Sequence, residues 1–148
     1  MNELVEGSHL YKPEVSMDQV VLPDEKKEML LKTVHNFTNF RKFRKRAGLE
    51  DIMTYGAGLA ILICGPLGTG KTMTVNAVAH HLGKCVLLVD FHSLQSVCGG
   101  SRGDDYCADL RGLFQDADMN DAITFSLVNA RLFLHRENVV GIYCLIHF

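Results

Sequence analysis

The stretch Gly65-Pro66-Leu67-Gly68-Thr69-Gly70-Lys71-Thr72 constrains the fold of this chain more than any other feature. It fits the pattern G-x-x-x-x-G-K-[ST]. An unbroken apolar run, Leu59 to Cys64, leads into it and predicts a buried parallel strand. The residues after it predict a helix that stops at Gly83. Its apolar positions recur at helical spacing: Val75, Val78, Ala79 and Leu82. The order of strand, glycine-rich loop and helix predicts an α/β fold.

The residue types of this loop suit a phosphate group. Gly65, Gly68 and Gly70 permit backbone conformations that side chains forbid, so successive N–H groups can surround an anion. The following helix adds its positive N-terminal end. Lys71 can reach the β- and γ-phosphates of a nucleotide, and the Thr72 hydroxyl can ligand Mg²⁺. The alternative is a glycine-rich turn without a ligand, which the agreement between motif and flanking segments disfavours.

The composition is that of an ordinary globular chain. Its 148 residues are enough for one domain with a core, and 47% are hydrophobic and 22% charged. A net charge of −2 argues against general electrostatic binding to nucleic acid or to a membrane. No secretory signal or membrane-spanning run is visible, and the five cysteines form no C-x-x-C pair. Reduced thiols in an intracellular, most simply cytoplasmic, protein are therefore expected. The histidines, including His80 and His81, are scattered and receive no ligand role.

The N-terminal part of the chain predicts one long helix. Residues 1–19 are expected to be a poorly ordered segment. The helix is expected over residues 24–45, with Asp24 as its cap and Val34 in its buried stripe. The basic cluster at residues 41–46 suits the negative end of the helix dipole. A nuclear signal or a nucleic-acid patch is the alternative interpretation of that cluster.

Further apolar runs predict the rest of an α/β domain. Cys85–Asp90 reads as a second parallel strand, with Asp90 at the carboxyl end, where ligands bind in open α/β sheets. A helix is predicted through Leu110 and Ala117 by the spacing of its apolar residues. Residues 122–128 and 139–148 are predicted to be a third and a fourth strand.

At these residues the chain resembles the core of an AAA ATPase. The likeness is carried by residues 58–72, by Ala77-Val78-Ala79 and Leu82-Gly83, and by Asp90 and Leu110-Arg111-Gly112-Leu113-Phe114 further on. The resemblance implies a P-loop NTPase fold, three-layer α/β/α with a mostly parallel sheet, which residues 20–148 would form incompletely at the C-terminus. It also implies ATP and Mg²⁺ as ligands, assembly into a ring, and ATP-driven remodelling of partner proteins.

The chain departs from that family in three places. Aligning the third strand puts Leu127 and Val128 where the family's Walker B motif has Asp and Glu, which support Mg²⁺ and activate water. Around Val97-Cys98-Gly99 the family's aromatic pore-loop residue is missing. The family's fifth strand, arginine finger and lid are also absent, which is expected to leave one edge of strand 59–64 unpaired. A truncated product or a fragment is the expected explanation.

The sequence therefore predicts ATP binding through Gly65 to Thr72, with Mg²⁺ held by Thr72 and the nucleotide. It leaves hydrolysis open. The resemblance implies an ATP hydrolase, whereas Leu127-Val128 indicate a non-catalytic nucleotide-binding or scaffold fragment. Self-association into a ring and a protein substrate are implied by the resemblance only. A membrane partner is not expected, and nucleic acid is disfavoured.

Overall fold

The computed structural model describes residues 7–52, 58–66, 68–90, 103–127 and 140–146, of which residues 103–110, 127 and 140–146 are described by their backbone alone. These ranges contain a five-stranded sheet and three α-helices. In chain order the elements are β1 (Ser8–Tyr11), a 3-10 turn (Met17–Gln19), α1 (Asp24–Arg46), β2 (Leu59–Gly65), α2 (Lys71–His81), β3 (Cys85–Asp90), α3 (Gly103–Met119), β4 (Ala122–Leu127) and β5 (Val140–Ile146).

The strands lie in the order β1-β3-β4-β5-β2. β3 and β4 are parallel, with Asp90 opposite Leu127, and the other three neighbouring pairs are antiparallel. The strands β2, β3 and β4 therefore run in one direction, so their carboxyl ends lie at the same edge of the sheet. The predicted α/β class is confirmed, whereas the described sheet is mixed and not mostly parallel.

The direction of β5 accounts for two of the antiparallel pairs. Its existence as a strand was predicted, but an apolar run does not encode the direction in which a strand runs. Only residues 128–139 separate β4 from β5, which is about the shortest crossover that a parallel neighbour allows. The structure instead places β5 antiparallel between β4 and β2.

The N-terminal segment contributes an edge strand where a poorly ordered region was expected. In β1, Ser8 pairs with Val89 and Tyr11 with Val86, and the Asp90 amide donates to the Gly7 carbonyl at 3.1 Å. The Tyr11 hydroxyl also donates to Asn76 Oδ1 of α2 at 2.7 Å. A four-residue strand is too short to show periodicity, which explains why the sequence analysis missed it.

Glycine ends both helices that flank β2. At the end of α2, Gly83 has φ of +68°, and the Lys84 amide donates to the Ala79 carbonyl at 2.9 Å. Gly48 ends α1 with φ of +65°. This arrangement is the Schellman motif, and the predicted stop at Gly83 is confirmed. The predicted cap of α1 is wrong, because Pro23 is the N-cap and Asp24 is the first helical residue.

Helices cover both faces of the sheet. On one face, α1 and α2 enclose the larger core cluster, which contains Val34, Val75, Val78, Ala79, Val86, Ile123 and Phe125. On the other face, α3 packs through Leu113 and Ala117 on β3 and β4. The prediction that β2 is buried on both faces is wrong. Its residues alternate, and Leu62 is 51% exposed, because within the described residues β2 is the last strand of the sheet.

Replacing Tyr11 with Phe tests whether β1 is docked. The substitution removes the donor to Asn76 and should lower the free energy of unfolding by about 1 kcal/mol. In a double-mutant cycle with Asn76→Ala, the two losses should not add, because both substitutions break one hydrogen bond. Partial burial raises the pKa of Tyr11 in the folded protein. The contribution of the protonated Tyr11 side chain to the free energy of unfolding should therefore persist up to about pH 10 and vanish as pH rises through the folded-state pKa. Additive losses in urea denaturation would contradict the contact.

Candidate functional site

The glycine-rich loop joins β2 to α2 at the edge where the strands β2, β3 and β4 end. Gly65 is the last residue of β2, and Lys71 is the first residue of α2. Gly68 has φ of +77°, and Gly70, the N-cap of α2, has φ of +80°. These left-handed conformations are open to glycine and costly for other residues. Leu67 lies outside the described residues.

A second requirement for glycine is steric and lies at Gly65. A Cβ atom there would come within 3.1 Å of Thr69 Oγ1. The Thr69 hydroxyl in turn donates to the Pro66 carbonyl at 2.9 Å. The end of β2 and the loop that follows it are therefore folded closely onto each other.

Lys71 is the positive centre of this loop. Its side chain is largely buried, since the residue is 7% exposed. The ammonium group donates to the Pro66 carbonyl and lies 3.3 Å from Thr69 Oγ1. Neither partner carries a charge, and no ion pair of Lys71 occurs in the part of the chain that the structure describes. A buried cation without a carboxylate is costly, and a bound anion would offset that cost.

The start of α2 adds to the positive character of the loop. The first turn of α2 contains no acidic residue, so no side chain there offsets the positive end of the helix dipole. Thr74 is 3% exposed, and its hydroxyl donates to the Gly70 carbonyl at 2.9 Å. Thr72, the predicted Mg²⁺ ligand, is exposed at the second position of the helix. Sequence reasoning missed Thr74, although its i+4 spacing from Gly70 was a usable signal.

Acidic side chains are not brought beside the loop by the described strands. Asp90 lies at the expected edge, but β4 and β5 stand between its strand and β2. At about 4.8 Å per strand, the strands that end at Asp90 and Gly65 are about 14 Å apart. Leu127 ends β4, one strand closer to the loop. Val128 and the Val97-Cys98-Gly99 segment lie outside the described residues. The glycine-rich loop is thus formed, without a neighbouring carboxylate among these described strand ends.

The basic cluster at residues 41–46 is not entirely solvated. Arg44 is 4% exposed, and its guanidinium carbon lies 5.8 Å from the centre of the Phe40 ring. A cavity of about 280 Å³ lies between the end of α1 and the start of β3. It is lined by Thr38, Arg41, Lys42, Lys45, Glu50 and Lys84. Because Lys84 precedes β3, this cavity is near the opposite edge of the sheet from the glycine-rich loop.

Comparison with known families identifies the domain. The family model described as "ATPase family associated with various cellular activities (AAA)" matches residues 61–126, from β2 to the end of β4. Residues 61–126 are therefore similar to an AAA family domain. The match covers somewhat less than half of the chain and indicates a nucleotide-binding, ATPase-like function. No curated protein and no solved structure gives a significant match. In the described ranges, no helix is long and apolar enough to cross a membrane.

Alanine substitutions should show which glycines of the AAA domain need their positive φ. Gly68→Ala and Gly70→Ala should each lower the free energy of unfolding by about 1–2 kcal/mol. Gly58→Ala is the matched control, because an added Cβ meets no atom within 4 Å at any of the three positions, and Gly58 lacks a positive φ. The measurement is urea denaturation followed by circular dichroism. Equal effects at the three positions would contradict the loop conformation.

Proposed function

We propose that this chain binds ATP together with Mg²⁺ through the loop Gly65, Pro66, Leu67, Gly68, Thr69, Gly70, Lys71 and Thr72. One observation carries the proposal, namely the buried Lys71 ammonium, whose contacts among the described residues are with uncharged oxygens of its own loop. The proposal is also supported by the AAA family match, since that family generally binds ATP with Mg²⁺.

Each part of the loop has a role in this proposal. The backbone N–H groups of Gly68 to Lys71 surround the phosphates. Lys71 exchanges its contact with the Pro66 carbonyl for a phosphate oxygen, which forms a stronger, charge-assisted hydrogen bond. The Thr72 hydroxyl, exposed at the mouth of the loop, is the ligand for Mg²⁺. The positive end of α2 favours the accumulated negative charge.

ATP hydrolysis is the second candidate function, and the AAA family match favours it. Against it stands Leu127 at the end of β4, where the family resemblance calls for an acidic residue. A leucine side chain neither binds a metal ion nor takes a proton, and loss of a general base costs about 10²–10⁴-fold in rate. We therefore propose a nucleotide-binding protein whose own turnover is slow. A scaffold role without nucleotide is the remaining alternative.

Family membership also suggests partners for this chain. AAA proteins typically assemble into oligomers, so we propose self-association, with a protein as the substrate of any remodelling activity. An intracellular, cytoplasmic location follows from the same proposal, together with the reduced thiols expected from the sequence.

Removing the Lys71 amine tests the binding proposal. Lys71→Ala should weaken binding of a fluorescent ATP analogue by about 10–100-fold, because a hydrogen bond to a charged group contributes about 1.5–3 kcal/mol. Lys32→Ala is the matched control, since Lys32 is an exposed lysine of α1 paired with Glu28. Its affinity for the analogue should equal that of the wild type. Equal binding by wild type and Lys71→Ala would rule out the loop as the nucleotide site.

Phosphate release separates binding from hydrolysis. The wild type should release phosphate from ATP no faster than Lys71→Ala, in which any release reflects contamination. The double substitution Leu127→Asp/Val128→Glu should raise the rate, because it supplies a metal ligand and a base. The uncharged pair Leu127→Asn/Val128→Gln serves as its control and should not raise the rate. Rapid wild-type release that Lys71→Ala abolishes would contradict slow turnover and favour the ATPase.

A further inference from the structure

Two histidines meet between α1 and the end of α2, away from the glycine-rich loop. His35 Nε2 lies 3.1 Å from His81 Nε2. The ring planes are nearly perpendicular, at 83°, and the ring centres are 5.2 Å apart. Both residues are exposed. His81 was expected to have no ligand role, and the pair is not visible from the sequence, since 46 residues separate the two histidines.

The distance between the two nitrogens is compatible with a shared metal ion. A tetrahedral zinc ion bound at 2.0–2.1 Å by two imidazoles places their nitrogens about 3.3–3.4 Å apart. An increase of about 0.3 Å in the N···N distance, together with a rotation of the two rings that directs both Nε2 lone pairs at one ion, would therefore convert the present His–His contact into a pair of metal ligands. We propose that His35 Nε2 and His81 Nε2 together bind a divalent transition-metal ion of the zinc class. In the metal-free protein the same atoms share one proton in an N–H···N hydrogen bond, with one ring as donor and the other as acceptor.

The backbone holds both ligands on packed helices. Val34, the residue before His35, is 1% exposed and belongs to the same core cluster as Val78 and Ala79 of α2. His81 is the last residue of α2, and the left-handed Gly83 fixes the end of that helix. Ligands on rigid helices lose little conformational freedom on binding, so the pair is preorganised for a metal.

The protein supplies only part of the coordination sphere. Among the described residues there is no group of three or more His, Cys, Asp or Glu side chains that could hold a metal ion. Water or an added ligand must fill the remaining positions. A cavity of about 550 Å³ leaves room for such a ligand beside His81. It is also lined by His80, by Asp18 in the 3-10 turn and by Lys27 and Leu31 of α1. We therefore expect an exchangeable ion that bridges α1 and α2, and not a closed structural site.

Zinc titration of the full chain tests this proposal without nucleotide. Isothermal titration calorimetry at pH 7.5 should show one Zn²⁺ per chain at this site, and Mg²⁺ should give no heat, because imidazole suits zinc and oxygen ligands suit magnesium. His35→Ala and His81→Ala should each weaken zinc binding by at least about tenfold. His9→Ala is the control, since His9 is an exposed histidine of β1 that does not line this cavity. Cys64→Ser excludes binding by the exposed thiol. Both controls should bind zinc as the wild type does.

A second readout keeps the test decisive if an alanine variant folds poorly. Zn²⁺ should raise the Tm of the wild type and of His9→Ala, because an ion that bridges two helices binds the folded state. It should leave the Tm of His35→Gln and His81→Gln unchanged. Absence of zinc binding by the wild type would overturn the proposal and leave a hydrogen bond only. Unchanged zinc affinity in both His35 and His81 variants would overturn it as well.

Discussion

The turn from β2 into α2 is the constraint on which most of this structure depends. The chain leaves the sheet at Gly65 and begins a helix at Lys71, so it must reverse within a few residues. Only left-handed conformations at Gly68 and Gly70 allow that path. The helix that results buries Val75, with Ala77, Val78 and Ala79, against the sheet. The loop geometry and the main hydrophobic core are therefore consequences of the same short segment.

This turn also explains why a cation can be buried at the edge of the sheet. Because Lys71 opens α2, its side chain runs back along the loop to the Pro66 carbonyl. The carbonyl and the Thr69 hydroxyl accept hydrogen bonds from the ammonium group but do not neutralise its charge. An anion is the missing component, and the positive end of the helix favours one at the same place. The buried cation and the left-handed glycines thus both follow from the local geometry of this turn.

The other half of the site depends on strands that are distant in the chain, and here sequence and structure diverge. The loop, α2, β3 and β4 could be predicted, because their signals are local apolar runs and turn residues. The direction of β5 and the docking of β1 could not, because both depend on pairing between remote segments. Alternating burial in β2 was missed for the same reason, since Leu62 is exposed by the position of its strand in the sheet.

The length of α2 and its packing on α1 determine how an ion at one end of α2 could affect the loop at the other end. Lys71 and His81 are the first and last residues of this helix, which at 1.5 Å per residue places them about 15 Å apart. An ion at His81 therefore cannot contact a phosphate at Lys71. It can only act through the helix itself, by fixing α2 against α1, whose Val34 belongs to the same core cluster as Val78. Since that contact is present without metal, the loop geometry does not require the ion. Zinc at this position would stabilise the packing of α1 on α2, while the conformation of the nucleotide loop follows from Gly68 and Gly70.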